Sequence, residues 1–393
     1  MKPLNFAFTL LILLFLSCET PSITPQNTDS GTTSLNLISS EYYYRFSSAI
    51  LKLIAQKNTN QPLPYSFVDV RAIELLYRMT YFNGEEVIAS GVILLPETKE
   101  AIHLLSFQHA ALEYGSKVPS QSILGVNDLT YAAIIASTGV GVILPDYIGY
   151  GNSSSFWHPF EHKTTLAQSS LDMLSASKTY LNEKKINTTS NIYLSGYAEG
   201  GTATLALHRL LEEEKTESLK KTLVGNGPYA KRLWAKEIVT KMNASDELGY
   251  FIKMLLSYNK IYPTLHRPES AYFKSMFLDS LSNLDFSNAL SFTSFQSNEI
   301  FNPLFTKGIV EETDTVFLEI LEKNQISGWP SKTPILFYGS TKERLFHFDH
   351  IGKVIDRIKK KGGKVQSKTL QESALKNSLL PFVYEILKEI HFE

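Results

Sequence analysis

NIYLSGYAEGGTATLALHR, Asn191 to Arg209, reads as a short apolar strand, a sharp turn and an amphipathic helix. Ile192 to Leu194 supply the strand, and apolar residues at three- and four-residue spacing from Thr202 to Leu211 supply the helix. Between them Gly196, Gly200 and Gly201 surround Ala198. Residues without side chains there let strand and helix approach closely and present one residue from a strained backbone.

The same rhythm extends outward. Strands are predicted at Asp69 to Tyr81, Glu86 to Leu95, His103 to His109, Gly141 to Pro145, Asn191 to Ser195, Thr222 to Gly225, Pro334 to Gly339 and Val365 to Leu370. Helices are predicted at Tyr42 to Gln56, Leu166 to Leu181, Thr202 to Leu211, His350 to Lys361 and Leu379 to Ile390. Strands alternating with helices imply an α/β fold with a mostly parallel, eight-stranded sheet covered on both faces, and the two leading strands give it an antiparallel start. The stretch 229–332, rich in Phe, Tyr, Leu and Ser, breaks the rhythm and reads as a helical cap inserted after the sixth strand. The core is then 39–228 together with 333–393.

Composition excludes several classes. With 393 residues, 43% hydrophobic and 20% charged, and a formal net charge of -1, the chain is neither disordered nor suited to nucleic acid. Lys359 to Lys361 reads as the solvated end of a helix. No phosphate-cradling loop or dinucleotide motif is present, and Pro159 interrupts the i, i+4 pair His158 and His162, so neither a cofactor nor a metal is expected. Both imidazoles read as structural groups beneath the cap.

The amino terminus carries a separate message. Lys2, the apolar run Leu4 to Leu16 and Ser17-Cys18 form a short signal-like segment, 1–17, too short to span a bilayer comfortably. It resembles a bacterial lipoprotein signal peptide, which implies a lipid on Cys18, the only cysteine in the chain. The polar stretch 18–38 then reads as a flexible tether. These features predict a cell-envelope protein anchored to the membrane through lipidated Cys18, with the outer membrane as the expected location.

The strand, turn and helix around Ala198 resemble the nucleophile elbow of the α/β-hydrolase superfamily, within it the bacterial secretory-lipase and esterase-like branch. FQHAALEYGSKVPS from Phe107, PDYIGYGNSS from Pro145, HPFEH from His158 and NGPYA from Asn226 are similar to further elements of that branch, in the same order. The resemblance implies a pocket near His109 and Ala110 of the oxyanion loop, Asp146 and Tyr147 of the next turn, and Tyr197 and Glu199 beside the elbow. His109 reads equally as a packed core histidine.

In this branch a serine, an acid and a histidine would act together. Ala198 stands at the serine position, Lys342 at the acid position and Leu375 at the histidine position. Ser195 lies inside the strand and points elsewhere, and Asp349, with His347 and His350, reads as the start of a helix. The sequence alone therefore predicts a chain that is not an enzyme: a pseudo-hydrolase holding a protein partner or a small apolar ligand. The alternative is a secreted serine lipase or esterase whose nucleophile has been mutated or whose triad has moved.

Overall fold

A computed structural model describes residues 36–57, 63–112, 117–123, 128–243, 247–281, 295–339, 346, 348–370 and 379–391. Cys18 with its signal-like segment, Lys342, His347 and Leu375 lie outside the described residues.

The strands are β1 (Leu37–Phe46), β2 (Val70–Thr80), β3 (Glu86–Pro96), β4 (Ile102–Gln108), β5 (Val140–Pro145), β6 (Thr188–Gly196), β7 (Leu219–Val224), β8 (Ile335–Gly339) and β9 (Val365–Thr369). They make one nine-stranded sheet in the order β1-β2-β3-β5-β4-β6-β7-β8-β9. β1 with β2, β2 with β3 and β3 with β5 pair antiparallel, and the remaining neighbours pair parallel.

All eight predicted strands are present, and the ninth corrects the sequence reading. Tyr42 to Phe46, expected to begin a helix, belong to β1, where Tyr42 faces Ile73 and Phe46 faces Val70. β1 starts at Leu37, inside the stretch expected to be tether. The helix α1 (Ser48–Lys57) begins only after it, with the Ser48 amide donating to Asp69 Oδ1 at 2.7 Å. β1 escaped the strand reading because it is an edge strand with both faces largely exposed, so it carries no alternation of buried and exposed residues.

Helices cover both faces. α1, α2 (Asp128–Ala136) and α12 (Leu379–His391) pack with Leu105, Phe107 and Val142 on one face. α3 (Lys163–Glu183) and α4 (Glu199–Glu214) pack with Ile93, Ile143 and Leu194 on the other, and α11 (Phe348–Lys360) continues that layer over Ile335 and Phe337. Asp349 sits in the first turn of α11, as expected of a helix start.

Between β7 and β8 lies the cap: α5 (Lys231–Thr240), α6 (Glu247–Ile261), α7 (Ser275–Leu281), α8 (Ser297–Ile300), α9 (Pro303–Val310) and α10 (Thr315–Asn324). Its own core gathers Trp234, Phe251, Tyr258, Phe273, Phe301 and Phe317. Ala111 and Ala198 from the sheet end pack against that cluster, so the cap sits directly over the elbow.

Candidate functional site

β6 ends at Gly196 and α4 starts at Glu199, leaving Ala198 to turn the chain at φ 54° and ψ -122°. A positive φ is costly for a residue with a β-carbon and persists only where its surroundings hold it. Here the Ala198 amide donates to the Asn226 carbonyl at 2.7 Å, while its own carbonyl accepts from the Gly201 and Thr202 amides. The glycines act as expected. A β-carbon on Gly200 would lie 2.0 Å from the Gln108 carbonyl oxygen, and one on Gly196 2.3 Å from the Gly200 oxygen. The turn has the backbone of a nucleophile elbow with a methyl group at its apex.

Glu199, the first helical residue, is buried and at the centre of a charged array. Its Oε1 lies 2.9 Å from His158 Nε2 and accepts from the Glu161 amide at 3.1 Å. His158 Nδ1 donates to the Ile148 carbonyl at 2.8 Å, so the contact between Nε2 and Oε1 needs a shared proton. Burial pushes the Glu199 carboxyl up, but His158, Lys253 and the Glu161 amide outweigh it and hold it below the usual carboxylate range.

Glu161 is the companion. It is wholly buried, has a φ of 56°, and its Oε2 accepts from Lys231 Nζ at 2.6 Å, a lysine likewise at 0% exposure. Burial pushes the Glu161 carboxyl up to about 7; Lys231 opposes that rise and Glu199 reinforces it. Sequence reasoning gave Glu161 no role. Its signal was present only as the fourth residue of HPFEH, where a carboxylate between two histidines carries no mark of burial.

The other expected pocket residues divide. His109 is buried, with Nδ1 donating to the Ala110 carbonyl at 2.6 Å, Nε2 buried without a hydrogen-bond partner, and its ring 4.3 Å from that of Tyr147. Tyr147, at φ 61°, donates to the His109 carbonyl at 3.1 Å. Ala110 directs its amide to Asp128 Oδ2 at 3.3 Å. Asp146 faces inward instead, accepting from Ser90 Oγ, the Ser120 amide and Ser120 Oγ, so it ties two turns together. Tyr197 packs toward Phe382 on α12, on the face of the sheet away from the cap cluster.

His158 and His162 both bond to protein groups, His158 to Ile148 and Glu199 as above. The His162 imidazole bonds Thr165 Oγ1 at 2.7 Å, and burial pushes it down to about 4. Among the described residues no cluster of three or more metal-ligating side chains occurs.

Among the described residues one serine, histidine and carboxylate do meet, at Ser331, His208 and Glu212. They do not form a triad. Ser331 Oγ at 3.1 Å and Glu212 Oε1 at 3.2 Å face the same nitrogen, Nε2, whereas a triad needs the nucleophile and the acid on opposite nitrogens. The group also precedes β8, at the strand-entry end of the sheet, opposite Ala198.

This sheet order, elbow and cap define an α/β-hydrolase fold. The chain belongs to the secretory lipase family, whose model matches residues 113–378. It is similar to a Legionella pneumophila protein described as a hydrolase, at 21% identity and TM-score 0.76, covering 90% of this chain and 96% of that one. It is also similar to the ligand-bound rice cell wall degrading esterase LipA of Xanthomonas oryzae, at 22% identity and TM-score 0.75, covering 90% and 95%. Candida antarctica lipase A is more distant, at 14% identity and TM-score 0.61, covering 86% and 77%. No curated protein matches the chain in sequence.

The expectation that the chain is not an enzyme is thereby overturned: it belongs to a lipase family, and esterases are among the structures it resembles. Reading inactivity from three substituted positions gave those side chains too much weight against the whole scaffold. A hydrolase retains ester binding and oxyanion stabilisation when its nucleophile is replaced.

Proposed function

We propose that the chain is an exported ester hydrolase of the lipase class that binds an acyl ester under the cap and hydrolyses it by direct attack of water, without an acyl-enzyme at residue 198. Ala198 carries the reading: it keeps the strained elbow backbone and faces the cap core, but offers no hydroxyl. In this fold the amide following the elbow residue is one oxyanion donor, which here is that of Glu199. Removal of a serine triad leaves about 10³- to 10⁴-fold acceleration over water from binding and oxyanion donors, and turnover of that order is expected.

Short-chain nitrophenyl esters and a fluorophosphonate probe test this directly. Turnover above buffer without covalent labelling supports it. Labelling of a serine would move the chemistry to a conventional acyl-enzyme, and turnover equal to buffer would remove the hydrolase reading.

The reading includes anchoring through a lipid on Cys18, supported by the apolar run Leu4 to Leu16 and by the absence of any other cysteine. Cys18→Ser should release the protein from the membrane fraction. Retention of that variant would refute the anchor.

A further inference from the structure

Besides the packing of Ala198 against the cap core, hydrogen bonds through Glu161 join the cap to the elbow. Glu161 is gripped by two cap helices: Lys231 Nζ of α5 donates to its carboxylate at 2.6 Å, and Tyr258 Oη of α6 donates to its carbonyl at 2.8 Å. Its amide in turn donates to Glu199 Oε1 at 3.1 Å, the carboxylate of the residue that follows the elbow. His158, three residues earlier, holds that same oxygen and is itself fixed on the Ile148 carbonyl of the β5 turn. Two hydrogen bonds therefore connect either cap helix to the first turn of α4, and every group in the path is buried.

The path is a device rather than general packing, because two of its members are held against their own preferences. Glu161 and Ala198 both have φ near +55°, a conformation that L-residues with side chains avoid. Each lies at one end of the Glu199 contact, so a shift of either backbone is passed to the other.

We infer that Glu161 and Glu199 are positioning residues: through His158, Lys231 and Tyr258 they make the seat of the cap set the direction of the Glu199 amide at the elbow. The inference rests on the ester reading for its consequence in turnover, but not for the mechanical link itself. A well-seated cap aims the amide at a bound carbonyl oxygen; a displaced cap turns it away. The assembly of the ester site thus depends on the cap helices, not on the sheet alone.

Two variants separate this from a purely stabilising role. Glu161→Gln with Lys231→Met removes the ionic grip without leaving a lone charge, and Tyr258→Phe removes a single hydrogen bond from a residue that otherwise keeps its packing. Hydrogen exchange of intact protein is read over residues 196–204, over the cap helices 231–261, and over strand 102–108. Expected is at least tenfold faster exchange at 196–204 and 231–261 together, with 102–108 unchanged. Faster exchange in the cap with 196–204 at the wild-type rate would overturn the link.

With nitrophenyl butyrate as substrate, both variants should lose about tenfold or more in kcat with KM within about twofold. Glu199→Gln, which preserves an acceptor for the Glu161 amide, should retain more kcat than Glu199→Leu. Equal losses in those two would overturn the positioning role. If the wild-type chain shows no turnover, the ester reading fails while exchange still decides the link.

Discussion

Replacing Lys231 by methionine isolates a fully buried charge pair. Lys231 and Glu161 are both fully buried and 2.6 Å apart. Their attraction offsets a large desolvation cost, and removal of one member leaves the other unpaired in a dry site, typically at about 3–5 kcal/mol. With roughly 2.1 cal/mol/K of unfolding entropy per residue over about 350 folded residues, unfolding entropy is about 0.7 kcal/mol/K. Lys231→Met should then lower Tm by about 4–7 °C at neutral pH.

The deficit should also depend on pH. Burial raises Glu161 from 4.5 to about 7, so the folded state holds a proton that the unfolded chain releases. The stability linked to this group is complete below pH 4.5 and is lost as pH rises through 7. Without Lys231 the carboxyl rises further, and protonation substitutes for the missing ammonium. The deficit measured by differential scanning calorimetry should be largest near pH 8 and smallest near pH 5, and Glu161→Gln added to Lys231→Met should recover most of it. A deficit independent of pH, or a double variant no more stable than the single one, would refute the ion-pair account.

Gly200→Ala should cost about 3 kcal/mol or more, because the new methyl group would meet the Gln108 carbonyl oxygen at 2.0 Å and backbone cannot yield as a side chain does; thermal denaturation or loss of soluble protein reads it. Asp146→Asn should destabilise by about 1–3 kcal/mol, since its amide would turn a donor toward the Ser90 or Ser120 donors, measurable by urea titration. Ala198→Ser should change ester turnover by less than about tenfold. Leu375, at the position the sequence analysis assigns to the triad histidine, carries no imidazole. A stoichiometric burst of nitrophenol from that variant would show that a base reaches the hydroxyl after all.

Legibility in sequence followed the physics of burial. Central strands such as Val140–Pro145 are continuous apolar runs between turn residues, and α3 and α11 carry one apolar stripe each; both are local patterns. β1 was misread because its exposed edge imposes no period. α2 was missed for the opposite reason: Leu129 to Ala136 are buried all round, so no face distinguishes the helix from a strand. The side on which Tyr197 packs is not legible for a third reason. Which side of the sheet a residue joins at a sharp turn depends on backbone angles that the sequence does not state.

By itself the sequence determined the alternation of strands and helices, the glycines of the elbow, the alanine at its apex and the place of the cap. These follow from residue volume, hydrophobic period and backbone freedom, all of which act within a few neighbours. Only the tertiary structure decided that Glu161 would meet Lys231 and Glu199, residues 70 and 38 positions away, and that Asp146 would brace two turns rather than face a ligand. Buried charges have no local signature: the same Glu is costless in water and powerful in a dry site, and only packing from distant segments removes the water.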